Sequence, residues 1–340
     1  MKLFVYEHIT SGALSEQTLP DSLVNEGHAM LMAVLRDCTN LDQLTLSTMR
    51  DQRLTTIELF DLSTQHSCHL ISNSLDYAQA WQHCLDRADA VLIIAPETDN
   101  TLANLQQQAL DADKIILGCH PSAIQISSNK YLCSESLANY NIPVIKTCLA
   151  SNWLAQPFSH QAGYILKPID GAGCIDTYWF KTPEALTQHL STQDAAILSQ
   201  VIIQPYLEGI SASLSLLVSD DDLDVLAINQ QHITTSQQQL KLTACSINAS
   251  SLPFTLEQAH QLAQQIRIAI PGLWGHIGID IILAQDTAFV IDINPRLTSS
   301  YIALSDSLNL NPMSRLLNMR SQGLMALPPI SQRKTVEFDL

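Results

Sequence analysis

The chain is poor in basic residues. Lys and Arg together number 17, against 33 Asp and Glu, which gives a formal net charge of −16 over 340 residues. Such an acidic surface repels phosphate backbones and anionic lipids, so the composition argues against a general nucleic-acid or membrane partner. Any anionic ligand must therefore be held locally, by a few well-placed cations and backbone amides.

Long apolar runs are also missing. The best, residues 90–95, is far shorter than the roughly 20 residues that span a bilayer. The apolar stretch after Lys2 is interrupted at Glu7, which is not the pattern of a signal peptide. The eight cysteines include no C-x-x-C pair, which favours buried thiols over disulfides. These features predict a soluble, cytoplasmic protein.

The first 120 residues alternate between strand-like and helix-like segments. Strands are predicted at 2–9, 55–60, 90–96 and 114–117, and helices at 22–36, 75–87 and 101–112. This alternation predicts an α/β fold with a doubly wound parallel sheet, whose ligands bind beyond the carboxyl ends of the strands. The first such end makes Glu7, His8, Ser11 and Gly12 candidate substrate contacts, with a solvated loop as the alternative.

The remaining chain predicts a connector at 121–128, a helix at 129–140, and several strands around a glycine turn near 171. The glutamine-rich stretch 230–239 predicts a mobile loop. The end, after Pro328-Pro329, predicts either a tail or an added strand.

Two short β-branched segments near the C-terminus each carry a carboxylate where a buried strand should be apolar. Asp280 lies in one, and Asp292 and Asn294 lie in the other, alternating with Ile or Val, so that the polar members of each strand share a face. Hard oxygen ligands converging in this way predict a magnesium site that holds nucleotide phosphates. Arg296 follows with a planar fork suited to a carboxylate or phosphate. The alternative is a pair of ordinary strands with acidic ends.

A lysine that leaves a strand and enters a glycine loop is the second feature. Lys167 precedes the loop formed by Asp170, Gly171, Ala172 and Gly173. Glycine allows backbone N–H groups to approach phosphate oxygens, and the ammonium group adds a point charge. The loop lacks the third glycine of a dinucleotide fingerprint, and the chain has no G-K-[S/T] motif. A hairpin turn remains the alternative.

Two further segments have weaker chemical signals. Lys130 opens the helix after the predicted connector and is either a phosphate ligand or a surface lysine. The segment from Gln204 through Tyr206 and Leu207 to Gly209 ends an apolar strand. It could offer backbone hydrogen bonds to an adenine edge, or it could simply lead into a turn.

These segments, in this order, resemble the ATP-grasp superfamily of carboxylate–amine ligases, over roughly residues 121–325. The matching residues are Lys130, Lys167 with its glycine loop, the Gln204–Gly209 segment, Asp280, and Asp292-x-Asn294-x-Arg296. The sequence departs from the family pattern at Ser211, where many relatives have a ribose-binding glutamate, and at Asp292, where glutamate is commoner.

The resemblance implies a two-subdomain ATP-grasp fold after the N-terminal sheet. The implied units are 1–120, a small subdomain 121–203, a large subdomain 204–325 and a tail 326–340. It also implies ATP and Mg²⁺, with Mn²⁺ as a substitute, and small-molecule carboxylate and amine substrates. Ser211 would lie at the nucleotide, and Lys167 and Arg296 would act in catalysis. The resemblance leaves a homodimer open.

The N-terminal residues narrow the resemblance. The segment 4–12 and the stretch from Glu26 to Asp37 are similar to the tyramine–glutamate ligases of methanofuran synthesis and to their methylofuran counterparts. Glutamate and tyramine or tyrosine are then the implied substrates. The rival hypotheses are a ligase that makes another amide, a nucleotide-binding sensor without turnover, favoured by Ser211, and a nicotinamide dehydrogenase, which lacks its glycine fingerprint.

Overall fold

The computed structural model describes residues 1–42, 44–57, 66–171, 176–236 and 238–339. The first part of the described chain forms a parallel sheet in the order β3-β2-β1-β4-β5, with helices packed on it. Its elements are β1 (Lys2–Glu7), α1 (Asp21–Thr39), β2 (Thr45–Asp51), β3 (Ser67–Ile71), α2 (Ser74–Arg87), β4 (Ala90–Ile94), α3 (Thr101–Asp111) and β5 (Ile115–Ile116). The predicted parallel α/β sheet is confirmed.

The sequence did not predict two strands of this sheet, β2 and β3. β2 contains Thr48, Arg50 and Asp51, which suggest an exposed segment but are almost fully buried. The hydroxyl of Thr48 donates to the carbonyl of Val5 at 2.7 Å, which satisfies it inside the sheet. The strand predicted at 55–60 was wrong at 55–57, which lie outside any strand, and residues 58–60 lie outside the described residues.

The predicted connector at 121–128 was wrong, because this segment is helix α4 (Pro121–Ser128). Proline occupies the first turn, where its missing N–H has no helical partner to lose. The hydroxyl groups of Ser127 and Ser128, which favoured a loop, donate back to helix carbonyls. Helix α5 (Lys130–Asn139) follows, with Asn129 as its N-cap.

The second part of the chain is built on a large, mostly antiparallel sheet. Its strands run in the order β14-β13-β10-β11-β12-β8-β7-β9-β6, with β15 paired to β12. The remaining helices and strands are β6 (Cys148–Leu149), α6 (Ala150–Ala155), β7 (Tyr164–Pro168), β8 (Tyr178–Phe180), α7 (Pro183–Leu190), α8 (Ala195–Ser199), β9 (Val201–Pro205), β10 (Ile210–Val218), β11 (Leu223–Ser236), β12 (Gln239–Ile247), α9 (Leu256–Ala269), β13 (Gly275–Ala284), β14 (Thr287–Asn294), α10 (Leu304–Leu308), α11 (Pro312–Gln322) and β15 (Val336–Asp339).

The glutamine-rich segment 230–239 is not the predicted loop. It belongs to the antiparallel hairpin of β11 and β12, although Gln237 lies outside the described residues. Its outer half is largely exposed, so polar side chains cost nothing on these strands and the sequence lacks the usual apolar alternation.

The chain ends in an added strand rather than a free tail. β15 pairs antiparallel with β12, and the carbonyl and amide of Lys334 bond to Ser307. The division into units at 120, 203 and 325 stays a prediction, and its border at 203/204 falls inside β9.

Buried apolar side chains form three clusters. Two of them include residues from both the parallel sheet and the large sheet, so these two parts share their packing. The third draws only on residues 150–203, around Trp153, Tyr164 and Phe180. The small lobe of β6 to β9 therefore has a core of its own. Across the described residues, no helix is long and apolar enough to cross a membrane.

Candidate active site

The predicted metal ligands lie side by side on β13 and β14. Antiparallel pairing sets Asp280 directly opposite Asp292, and Gly278 opposite Asn294. The Nδ2 of Asn294 donates to Oδ2 of Asp280 at 3.3 Å, and Nε2 of Gln231 donates to Oδ1 of the same carboxylate at 2.8 Å. The two strands therefore bring two carboxylates and an amide to one place, and their role as metal ligands stays a prediction.

The electrostatics of this pair suit a cation. Burial, and after it the negative charge of Asp292, raise the pKa of Asp280 to about 6. A divalent ion would relieve this repulsion, and carboxylate and amide oxygens are ligands that Mg²⁺ and Mn²⁺ accept. No cluster of three or more His, Cys, Asp or Glu side chains suited to a metal occurs within the described ranges. Two carboxylates and one amide would fill only part of the six positions around Mg²⁺, which leaves room for oxygen ligands from elsewhere.

Two nearly buried lysines face the same carboxylates. Nζ of Lys130 lies 3.1 Å from Oδ2 of Asp292 and also donates to the carbonyl of Gly171. Nζ of Lys167, on β7, donates to the carbonyl of Ile291 at 3.4 Å. Their exposed fractions are 7% and 9%, so Lys130 is not the surface lysine of the alternative interpretation.

A small pocket of about 10 Å³ adjoins Lys130. Its polar wall includes Lys130, Gln204 and Asp292, and its apolar wall includes Leu137 and Val290. A space of this size holds about one water molecule, so the pocket marks where Lys130, Gln204 and Asp292 meet beside an apolar surface and is too small for a whole nucleotide.

The glycine loop is described only at its start. Residues 172–175 lie outside the described residues, so the predicted roles of Ala172 and Gly173 stay predictions. Gly171 accepts from Lys130 through its carbonyl, and the carboxylate of Asp170 accepts from the backbone N–H of Asp99 at 3.0 Å. Asp170 is therefore tied to the turn that follows β4.

The Gln204–Gly209 segment links the small lobe to β10. Nε2 of Gln204, which is buried, donates to the hydroxyl of Thr147 at 2.9 Å. Tyr206 packs edge-on against Trp179, and Leu207 and Ser211 are partly buried. Contacts of these residues with an adenine or ribose remain a prediction, although Gln204 is a core residue rather than part of an exposed turn.

Arg296 lies directly after β14 and is held by Glu97. Its Nε lies 2.9 Å from Oε1 of Glu97, and its Nη2 donates to Oε2 at 3.2 Å. Burial disfavours the charged form of Arg296, but the charge of Glu97 and the hydrogen bond to it outweigh burial and raise its pKa. The arginine is therefore a permanent cation within reach of the charge of Asp292, one of the predicted metal ligands.

The four predicted substrate contacts follow β1. The carboxylate of Glu7 is buried and accepts from the backbone of Ile9 and from the backbone and hydroxyl of Thr10. Ser11 donates to the carbonyl of His8 at 2.9 Å. Gly12 has φ +89°, and the side chain of Ile71 lies where a Cβ would stand. Glu7, Ser11 and Gly12 therefore shape this loop, and direct contact with a substrate stays a prediction.

His8 differs from its neighbours. Its Nδ1 shares a hydrogen bond of 2.9 Å with the hydroxyl of Tyr6, and burial lowers its pKa to about 4. The imidazole is therefore neutral at pH 7. Its Nε2 makes no hydrogen bond to the part of the chain that the structure describes, so it is the one of the four that keeps an available polar atom.

Sequence reasoning missed Glu97, and it gave Gln231 no role. Glu97 lies three residues beyond the end of β4, where the rule of carboxyl strand ends could have marked it. Gln231 lies within the segment taken for a mobile loop, and only the pairing of β11 with β10 and of β10 with β13 brings it to Asp280.

Comparison with known proteins identifies the family of this chain. An ATP-grasp domain model matches residues 127–300, about half of the chain, and a pre ATP-grasp 3 domain model matches residues 44–124. The tyramine–L-glutamate ligase of Methanocaldococcus fervens is 25% identical over 315 residues, covering 89% of each chain. That of Methanocaldococcus jannaschii is 26% identical over 219 residues, covering 64% of this chain and 59% of the relative.

Solved structures share the fold. An ATP-grasp superfamily protein from Archaeoglobus fulgidus superposes with a TM-score of 0.70 at 23% identity, covering 99% of this chain and 91% of that one. N5-carboxyaminoimidazole synthetase from Staphylococcus aureus, complexed with ADP, gives 0.69 at 12% identity, with coverage of 99% and 81%. The resemblance to ATP-grasp ligases, the fold class and the prediction of an ATP-dependent C–N ligase are confirmed. The chain belongs to the ATP-grasp family.

Proposed function

We propose that this chain is a carboxylate–amine ligase that consumes ATP and forms an amide through an acyl phosphate. A substrate carboxylate oxygen attacks the γ-phosphorus, and ADP leaves. The amine nitrogen then attacks the acyl carbon, phosphate leaves, and the nitrogen loses a proton. The observation that carries the proposal is the pairing of Asp280 with Asp292 across two strands, with Lys130 at 3.1 Å from Asp292. Opposed charges of this kind suit a metal–triphosphate complex.

Asp280, Asp292 and Asn294 would hold Mg²⁺, or Mn²⁺ in its place. When bound, the ion neutralises negative charge on the phosphates. Asn294 now turns its Nδ2 toward Asp280, so its Oδ1 is the atom that would serve as a ligand.

The lysines supply the remaining positive charge. Lys130 and Lys167 are buried where Asp292 and backbone carbonyls are their partners. Phosphate oxygens would compete with those partners for the same ammonium groups. Charge-assisted hydrogen bonds are about twice as strong as neutral ones, which favours the phosphates over the backbone carbonyls of Gly171 and Ile291. The glycine loop that the sequence predicts, with Asp170, Gly171, Ala172 and Gly173, would offer backbone N–H groups to the same phosphates.

Glutamate and tyramine are the substrates that the relatives support best. Two curated relatives are named tyramine–L-glutamate ligases, and one of them aligns over 89% of this chain. The γ-carboxylate of glutamate would be activated, and the amine of tyramine or tyrosine would accept it, in the synthesis of a methanofuran- or methylofuran-type cofactor. A ligase for another amino-acid amide is the second candidate, because the identity to these relatives is only 25–26%.

Asp292→Asn tests the reaction and its metal site together. The substitution keeps the shape but removes one of two facing carboxylates, so ADP release should fall by about a hundredfold or more, as for other groups that stabilise developing charge. ADP release would be measured by a coupled assay over a matrix of acids and amines, with the product mass determined for glutamate plus tyramine. Asp286→Asn, in the exposed turn of the same hairpin, is the matched control and should leave turnover unchanged.

The outcomes separate the candidates. ADP release that needs both an acid and an amine excludes a nucleotide sensor without turnover, and the preferred pair identifies the amide. Wild-type turnover in Asp292→Asn would remove the metal assignment. A wild-type chain that binds ATP but releases no ADP with any pair would favour the sensor.

A further inference from the structure

The partner of Arg296 comes from the other half of the molecule. Glu97 lies just beyond β4 of the parallel sheet, 199 residues earlier in the chain. Its carboxylate meets Arg296 through Nε at 2.9 Å and Nη2 at 3.2 Å. The exposed fractions of the two side chains are 5% and 12%, so water screens this ion pair little.

The contacts that Arg296 makes fix the orientation of its guanidinium group and leave some of its N–H donors unused. Glu97 takes the side formed by Nε and Nη2, and Nη1 donates to the carbonyl of Leu297 at 3.2 Å. A guanidinium has five N–H donors, so one N–H on each terminal nitrogen remains for an anion, counted over the described part of the chain. The free edge is suited to a phosphoryl group or a carboxylate.

The same turn also holds the start of the glycine loop. The backbone N–H of Asp99 donates to the carboxylate of Asp170 at 3.0 Å. Asp99 and Asn100 both have left-handed backbone conformations, with φ of +56° and +57°, which Asp and Asn tolerate better than other residues with a side chain. Residues 97–100 thus contact Arg296 on one side and the predicted phosphate loop on the other.

Other carboxylates compete for Arg296. The charges of Glu26 and Asp292 also act on its guanidinium group. A long arginine side chain that is freed from Glu97 could turn toward Asp292, which is a proposed metal ligand. Holding Arg296 away from that carboxylate therefore protects both the cation and the ligand.

We propose that Glu97 is a positioning residue: it aims Arg296 at the transferring phosphoryl group, and its turn anchors Asp170 at the opposite side of the site. This inference rests on the proposed ligase function. The N-terminal sheet would then help to position the groups that bind the phosphates, in addition to its predicted contacts with the substrate.

The first test measures binding rather than turnover. ADP with Mg²⁺ and aluminium fluoride mimics the phosphoryl group in transfer, whereas ADP with Mg²⁺ lacks that group. Glu97→Gln should weaken the fluoride complex by about tenfold or more, while ADP binding changes by less than about threefold, since the lost interaction acts on the transferring group. Glu97→Asp, which keeps the charge but shortens the reach, should fall between the two. Equal loss for both ligands, or no loss for either, would overturn the proposal.

The second test is a double-mutant cycle in ADP release. Glu97→Gln should lower kcat by about tenfold to a hundredfold with little change in the KM for ATP. In the Arg296→Lys background the same substitution should cost less than about threefold, because its effect passes through Arg296. If the two decreases in kcat instead multiply in the double variant, Glu97 acts independently of Arg296 and the proposal is wrong.

A structural ion pair provides the control. Asp224 pairs with Arg315 on α11, and Asp224→Asn should lower Tm without changing kcat or the fluoride complex. If Glu97→Gln likewise lowers Tm without changing kcat or the fluoride complex, the Glu97–Arg296 pair has only a structural role and the proposal is wrong. Failure of the ligase function would be seen separately, as absence of ADP release by the wild-type chain with every acid and amine.

Discussion

Asp37 and Tyr301 show what a single buried pair does in this molecule. Asp37 lies on α1, and its Oδ2 accepts from the hydroxyl of Tyr301 at 2.6 Å, while its carbonyl accepts from Asn311 at 2.7 Å. Burial raises the pKa of Asp37 to about 6, although the bond from Tyr301 opposes the shift. This residue, one of those that carry the subgroup resemblance, thus joins the N-terminal sheet to the C-terminal helices.

The raised pKa predicts a pH effect on stability. An unfolded aspartate has a pKa near 3.9, so folding favours the protonated form; the contribution is complete below about pH 4 and is lost as pH rises through 6. Relative to Asp37→Asn, the wild-type free energy of unfolding should fall by about 1–3 kcal/mol between pH 4 and 7.5. Urea unfolding of both proteins across that range measures it.

Two outcomes decide this point. A constant difference between wild type and Asp37→Asn at every pH would contradict the assignment. Tyr301→Phe removes the donor that favours the ionised carboxylate of Asp37. In that variant, the free energy of unfolding that Asp37 contributes should depend more steeply on pH.

The candidate site residues differ in how clearly the sequence marks them. Asp280, Asp292 and Asn294 were singled out because a carboxylate in a β-branched run is unusual, and the strand pairing places them together. Glu97 was not found, because nothing in its own neighbourhood distinguishes it from a surface glutamate. Its role depends on the position of Arg296, which the chain brings to it only on folding.

At the scale of elements, helix α1 fits against β1 through a missing side chain. Gly27 lies within α1, and the carboxylate of Glu7 lies 2.6 Å from where its Cβ would be. That carboxylate cannot move freely, because three hydrogen bonds to Ile9 and Thr10 hold it.

Gly27→Ala should therefore destabilise the protein. Alanine favours a helix by about 1 kcal/mol over glycine, but overpacking against the fixed Glu7 carboxylate costs about 1–3 kcal/mol, and we expect the clash to prevail. Urea unfolding of the single variant and of Gly27→Ala combined with Glu7→Ala measures the contact. The cost of Gly27→Ala should fall by at least half when Glu7 is absent. A single variant as stable as wild type would refute the tight fit.

Elements with plain apolar patterns were predicted well, and polar ones were not. α2, α3 and α5 follow the segments predicted at 75–87, 101–112 and 129–140 to within a residue at each end. β2 and the β11–β12 hairpin were missed because their polar side chains are satisfied by partners distant in sequence or by solvent. The sequence pattern shows the type of each side chain but not the group that will satisfy it in the folded protein.

On the scale of the whole molecule, the C-terminal segment closes the fold. β15 adds to β12, Arg333 donates to the carbonyl of Val225, and Lys334 bonds to Ser307 on α10. Val336 and Phe338 pack against a core that includes residues of the N-terminal sheet. The last strand therefore contributes to a core shared by both parts.

Removing residues 331–340 should lower stability substantially. Two partly buried apolar side chains and a strand pairing are lost, which predicts a decrease of about 2–4 kcal/mol in the free energy of unfolding. Thermal and urea unfolding of the truncated chain measure it. A double substitution, Val336→Ala with Phe338→Ala, should reproduce much of the loss. An unchanged Tm in the truncated chain and in the double variant would show that β15 contributes nothing to stability.

The kinds of chemistry available, and their order along the chain, are written in the sequence: strand carboxylates, a lysine before a glycine loop, an arginine beyond. Local residue type and spacing suffice for these, because each motif is continuous. Which groups meet is a different matter. The bonds of Glu97 to Arg296, Asp99 to Asp170 and Gln231 to Asp280 join segments 49 to 199 residues apart. Sheet register and shared packing decide such pairs, and they exist only once the chain has folded.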